Sequence, residues 1–196
     1  MPKVTGIFDS FANLEQISVE DLTLAIHIDT QNLQNYLANR ILYPQAAAIT
    51  KQEMVLDLAI LKLGLKQNSV FYHPKEKKLI IPESFYERFP NLVDLATAFI
   101  DVFLPADSTT IILAKINGDE VLGTYLQAEF SNQKPVNLMV EEQSFQIKPG
   151  RNILPCLRQH CHINFRSDSA KIQNKNELVF EVLGGALGLV IDGRMR

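Results

Sequence analysis

Residues 109–130, TTIILAKINGDEVLGTYLQAEF, set two runs of β-branched, aliphatic and aromatic residues on either side of Asn117-Gly118. Asn-Gly readily takes the positive backbone angles of a tight reversal, so the pattern predicts a β-hairpin. Working toward the C-terminus, further short strands are expected at Val136–Val140, Phe145–Ile147, His162–Phe165, Leu178–Val182 and Leu187–Ile191, with Pro149-Gly150 as a connecting turn. Seven short strands separated by turn chemistry imply a small antiparallel β-barrel or sandwich.

Working toward the N-terminus, the period changes from two to about 3.6. Thr50 with Glu53 three positions later is a capping box, in which each side chain satisfies a free backbone amide of the other. It opens a helix with Met54, Leu58, Leu61 and Leu65 on one face. Asp29 or Thr30 caps an earlier helix carrying Leu33, Tyr36, Leu37 and Ile41, with Gln31, Asn32, Gln34 and Asn35 outward. A further helix is expected over Val19–Ile26, behind a cap at Ser18, and helical segments from Phe85 and through NLVDLATAFIDVFL up to Pro105. Between them, Val70–Tyr72 and Leu79–Ile81 flank a turn beginning at Pro74. The expected fold is therefore α+β. A helical module of winged-helix-like form spans residues 1–105, with a β-hairpin near 69–82, and a β-rich domain spans 106–196.

Composition limits what such a chain can do. It has 196 residues, 46% hydrophobic, and a net charge of −3, enough to build a core and too balanced for a protein that coats nucleic acid indiscriminately. Its longest uncharged apolar run, Leu183–Ile191, is far short of the roughly 20 residues that cross a bilayer. No membrane partner is expected. Two cysteines alone give no disulfide framework, and a cytoplasmic setting is the default.

Residues 17–65 resemble the helix-turn-helix of the MerR and excisionase type. In ISVEDLTLAIHIDTQNLQNYLANRILYP, Leu22, Ile28, Leu33, Tyr36, Ile41, Leu42 and Pro44 take the apolar and exit positions, and Asp29 takes the cap place. ITKQEMVLDLAILKLGL is similar to the following helix. The resemblance implies a DNA-binding transcription regulator. Gln31, Asn32 and Gln34 would lie nearest the bases, and Arg40 would meet phosphate, with Lys75, Lys77 and Lys78 if the hairpin serves as a wing. The sequence departs from that pattern at His27, where the turn usually carries glycine, and at QAAA, which replaces the basic wing. The stretch GGALGLVIDGR at 184–194 resembles the end of the accessory proteins of glutamate mutase, without a counterpart of their nucleotide-binding part. On the residues alone, Asp192 and Arg194 form a surface pair of little energetic weight.

CLRQHCH supplies Cys156, His160, Cys161 and His162, all competent zinc ligands. Four ligands within seven residues converge poorly, and neighbours on a strand point to opposite faces. A turn and strand with cysteines packed as small apolar groups is the better account, and a metal or redox sensor ranks as a minor alternative. There is no Walker loop, GxGxxG, HExxH or GxSxG, and the acidic pairs Asp119-Glu120 and Glu141-Glu142 fall in turns. The expectation is a non-catalytic regulatory or adaptor protein with no cofactor, acting on a protein partner, with DNA as the alternative. Sheet edges and the Phe-rich stretch from Phe85 to Phe103 are compatible with a homodimer.

Overall fold

Asp29 accepts a hydrogen bond from the Asn32 amide at 3.1 Å and so caps α1, Thr30–Leu42. In this computed structural model residues 29–43, 48–66, 69–89, 91–106 and 108–194 are described. The expected helix at Val19–Ile26, His27 and most of QAAA lie outside those residues. α2, Lys51–Lys66, opens on the predicted capping box. The Glu53 amide donates to Thr50 Oγ1 at 3.1 Å, while Glu53 Oε2 accepts from the amides of Thr50 and Ile49 at 2.9 and 2.7 Å. Those amide bonds hold the Glu53 carboxyl below its ordinary range. The short α3, Glu83–Arg88, precedes the strongly amphipathic α4, Leu92–Phe103.

The fold is a mixture of helix and sheet, as the sequence implies, and it divides into two units. The first comprises the described residues up to Ser69 together with Glu87–Phe103. Within it α2 packs on α4, and Lys62 pairs with Asp101 at 2.7 Å. The buried face of α2 is Leu56, Asp57, Ile60, Leu61 and Leu65, which is rotated from the expected face because Met54 and Leu58 remain half-buried. Phe89 and Phe99 are buried in this unit, and Phe85 is buried in the other.

The second unit comprises Val70–Tyr86 and Leu104–Arg196, and holds eleven described strands in two sheets. β1 (Tyr72–His73), β2 (Lys78–Pro82), β3 (Thr109–Ala114), β4 (Glu120–Phe130), β11 (Gly188–Asp192) and β7 (Arg151–Leu154) lie side by side in that order, and β9 (Ala170–Ile172) pairs with the far end of β4. β10 (Glu177–Leu183), β8 (His160–Arg166), β5 (Val136–Val140) and β6 (Gln143–Ile147) form the other sheet. Leu126, Leu189 and Ile191 from the first sheet and Leu138, Ile163 and Phe165 from the second belong to one apolar cluster.

Two features depart from the expected small antiparallel barrel or sandwich. The sheets do not close, and β2–β3 and β4–β11 pair in parallel. The hairpin near 69–82 thus extends the sheet through β3. The second parallel pair depends on a close approach: a Cβ on Gly123 would lie 1.9 Å from the carbonyl oxygen of Gly188, so only glycine lets β11 lie in register with β4.

The end of β11 carries a second correction. Asp192 is buried rather than superficial; Arg194 clamps its two carboxylate oxygens at 2.8 and 2.6 Å, and Arg151 stands 3.5 Å away. Burial alone would raise this carboxyl, but the hydrogen bonds from Arg194 and the two guanidinium charges hold it below the ordinary value of 3.8. Its folded pKa is thus depressed, and the stability it contributes is present above the unfolded value and lost as pH falls through the folded one. Urea midpoints measured from about pH 5 down to about pH 2 should fall, and the decline should be shallower in Asp192→Asn, which begins from a lower stability at neutral pH.

Candidate functional site

The outward residues of α1 lie as expected. Gln31, Asn32, Gln34 and Asn35 are exposed, with Gln31 Nε2 donating to Asn35 Oδ1 at 3.3 Å. Arg40 does not join them. It is 4% exposed, and its Nη2 donates to Asp57 Oδ2 at 2.7 Å, while Nε donates to the Tyr36 hydroxyl at 2.8 Å. The Tyr36 hydroxyl in turn donates to Asp57 Oδ1 at 2.6 Å, and Arg88 adds a second guanidinium 3.9 Å from the same carboxylate. Burial, followed by the hydrogen bond and charge of Asp57, drives the Tyr36 hydroxyl pKa upward. The assignment of Arg40 to phosphate is therefore corrected: its charge is committed to tying α1 to α2.

The hairpin lysines belong to the other unit. Lys75 and Lys77 are exposed at the tip, where Lys77 takes a positive φ of 53° and donates its amide to Pro74 O at 3.3 Å. Lys78 is bound to Glu76 at 2.9 Å, which raises its pKa and offsets its charge. Lys75, Lys77 and Lys78 thus present a cluster that is neutralised in part, and they do not share a unit with Gln31, Asn32 and Gln34.

The four residues of CLRQHCH separate into two places. Cys156 and Cys161 are joined in a disulfide, with their Cα atoms 6.1 Å apart, and both side chains belong to the core cluster. This corrects the picture of two separate cysteines packed as small apolar groups. His160 and His162 alternate with Cys161 on β8 and face outward, beside Glu181 on the neighbouring β10. His160 Nδ1 lies 2.5 Å and His162 Nε2 4.0 Å from that carboxylate. Among the described residues no group of three or more His, Cys, Asp or Glu side chains is arranged to hold a metal ion.

The bridge sits at a crossing between the sheets. Residues 155–159 carry the chain from β7 in one sheet to β8 in the other, and residues 184–187 carry it back from β10 to β11. The two connections are bound together: the amides of Gly185 and Gly184 donate to Cys156 O at 2.9 Å and Gln159 O at 3.0 Å. A Cβ on Gly184 would meet Arg158 O at 2.1 Å, Cys156 O at 2.2 Å and the Cys156 sulfur at 2.6 Å, so the turn rests directly on glycine backbone. On its other side lies a cavity of about 360 Å³, walled by both cysteines, by Phe145 of β6, and by Glu142, Pro155 and Leu157. Leu157 is 81% exposed, and Arg158 reaches Glu141 at 3.5 Å. Sequence reasoning missed this site because its parts come from three separate segments. The outward residues of CLRQHCH were legible, but the partners of the segment were not.

No protein-family model, curated protein or solved structure matches the chain.

The Arg40–Asp57 contact has a direct stability consequence. Asp57→Ala leaves the buried Arg40 guanidinium without its carboxylate and should cost about 3–5 kcal/mol, the range for breaking one side of a buried pair. Chemical denaturation followed by the helical circular dichroism signal measures it; a loss below about 1 kcal/mol, typical of an exposed pair, would contradict the arrangement.

Proposed function

We propose that the protein is a non-catalytic regulatory or adaptor protein that acts through protein–protein contacts. The observation that carries this reading is the cavity of about 360 Å³ between β6 and the disulfide-tied turn, with Leu157 projecting beside it. β6 is an end strand of its four-stranded sheet, and the main-chain groups along such an edge are ready to pair with another extended segment. Phe145, Pro155 and Leu157 offer apolar contact for one anchoring side chain. Glu142, exposed at the β5–β6 turn, favours a basic residue next to that anchor. The partner we infer is an extended peptide segment with an apolar anchor flanked by Lys or Arg. A pocket of this size suits recognition of one side chain. No cofactor is invoked, and a cytoplasmic setting is retained as part of the proposal; no helix among the described residues is long and apolar enough to cross a membrane.

A second reading, a DNA-binding transcription regulator, is favoured by the exposure of Gln31, Asn32 and Gln34 along α1. It is weakened by the loss of Arg40 to Asp57, because most affinity for a duplex comes from neutralised phosphates.

Two measurements separate the readings. Selection from a library of displayed peptides should enrich apolar–basic segments whose binding falls at least about tenfold in Leu157→Asp, a loss suited to an interface anchor. Absence of enrichment, or binding indifferent to Leu157, would overturn the adaptor reading. Fluorescence anisotropy with a mixed-sequence duplex at low salt should give no binding. Salt-sensitive binding that disappears when Lys75, Lys77 and Lys78 are changed to Glu would instead install the regulator reading.

A further inference from the structure

We propose that Cys156–Cys161 is a site of reversible thiol–disulfide exchange with an external dithiol, and that its redox state controls the turn beside the cavity. The bridge is poorly suited to a purely stapling role. It closes a short loop, five positions apart in sequence, and the stabilisation from restricting an unfolded chain is smallest for short loops. The strands that flank it are already held without it: β7 pairs with β11, and β8 pairs with both β10 and β5. The connection between those strands, at residues 155–159, lies outside both ladders. It is held by the two hydrogen bonds from Gly184 and Gly185 and by the ion pair of Arg158 with Glu141. Cleaving the bridge therefore releases the turn while leaving the ladders in place.

Access and electron balance fit the same role. Both cysteines are buried, and both are among the residues that line the cavity, which is the side from which a dithiol would approach the bridge. A thiolate of the dithiol attacks one cysteine sulfur, the Cys156–Cys161 bond breaks, and the other cysteine leaves as a thiolate that takes up a proton. The second thiol of the reductant then displaces the first cysteine from the mixed disulfide. The protein gains two electrons and two protons, and the dithiol becomes a cyclic disulfide. The chain has only two cysteines, both in this bridge, so the exchange partner must come from outside.

The effect on partner binding rests on the adaptor reading, whereas the exchange itself does not. The full chain, in native buffer, is incubated with millimolar dithiothreitol, blocked with an alkylating agent and weighed by mass spectrometry, with hydrogen exchange followed in parallel. Reduction is expected to expose both thiols together with the circular dichroism spectrum retained, and a disulfide-form dithiol should restore the bridge. Amides of residues 157–160 and of Gly184 and Gly185 should exchange about tenfold faster or more in the reduced protein, while those of β8 and β10 stay protected. The double variant Cys156→Ser, Cys161→Ser should reproduce the reduced pattern without any reductant. A bridge that yields only in urea, or a reduced turn with unchanged exchange, would overturn the proposal. Reversible reduction with the expected exchange pattern, in a protein that captures no peptide in either state, would support this inference and remove the adaptor reading alone.

Discussion

The contact between Gly123 and Gly188 governs the strand unit. β11 lies between β4 and β7, all five of its residues are buried, and it enters that slot only because neither strand carries a side chain at the point of closest approach. With β11 in place, Leu189 and Ile191 can reach the cluster shared with the second sheet. A methyl group at position 123 would separate the strands, and the core lined by both sheets would lose two of its anchoring residues. The clamp of Arg194 and Arg151 on Asp192 then satisfies the carboxylate buried at the strand's end.

Local chemistry was the legible part of the sequence. Asp29 and the Thr50–Glu53 pair mark helix starts because a cap acts over three residues, and Asn117-Gly118 marks a reversal for a similarly local reason. Partners far apart in the chain were not legible. Side-chain pattern along β2 and β4 says that they are strands but not whether the neighbour runs parallel, so the two parallel pairs stayed hidden. β7 and β9 were missed because four and three residues are too few to show a period. Asp57 reads as an ordinary polar residue of α2 until Arg40, 17 positions earlier, is found against it. The candidate site follows the same division. That Cys161 and His162 point to opposite faces follows from strand alternation, whereas Glu181 beside the histidines, and the cavity near the bridge, arise only from pairing.

That division also explains why the functional readings changed weight. A basic side chain in a sequence counts as potential phosphate contact, but its availability depends on what it meets when folded. Arg40 meets Asp57 and Lys78 meets Glu76, so two of the four cations that the linear reading placed near phosphate are paired within the chain. The surviving polar face of α1 carries hydrogen-bonding groups without that electrostatic support. Specificity without affinity is a poor basis for holding a duplex, whereas an edge strand with an apolar pocket needs no net charge to bind.

The topology adds a temporal argument. Three pairings of the first sheet pass through β4, whose partners β3, β9 and β11 begin about 10 residues before it and reach more than 60 residues beyond it. The antiparallel β3–β4 hairpin can form early because its ends are joined by a short turn, but β11 must wait until β10 has been laid down and the chain has crossed back between the sheets. At that stage the turn at residues 155–159 has to be in position, since Gly184 and Gly185 dock on its carbonyls. The bridge between Cys156 and Cys161 restrains that same turn. Once β11 is seated, ladder hydrogen bonds hold both strands and the bridge becomes dispensable for the sheets. A bridge whose flanking strands are held by their own ladders can be opened without dismantling the sheets, which is the physical condition for a disulfide to work as a switch rather than a staple.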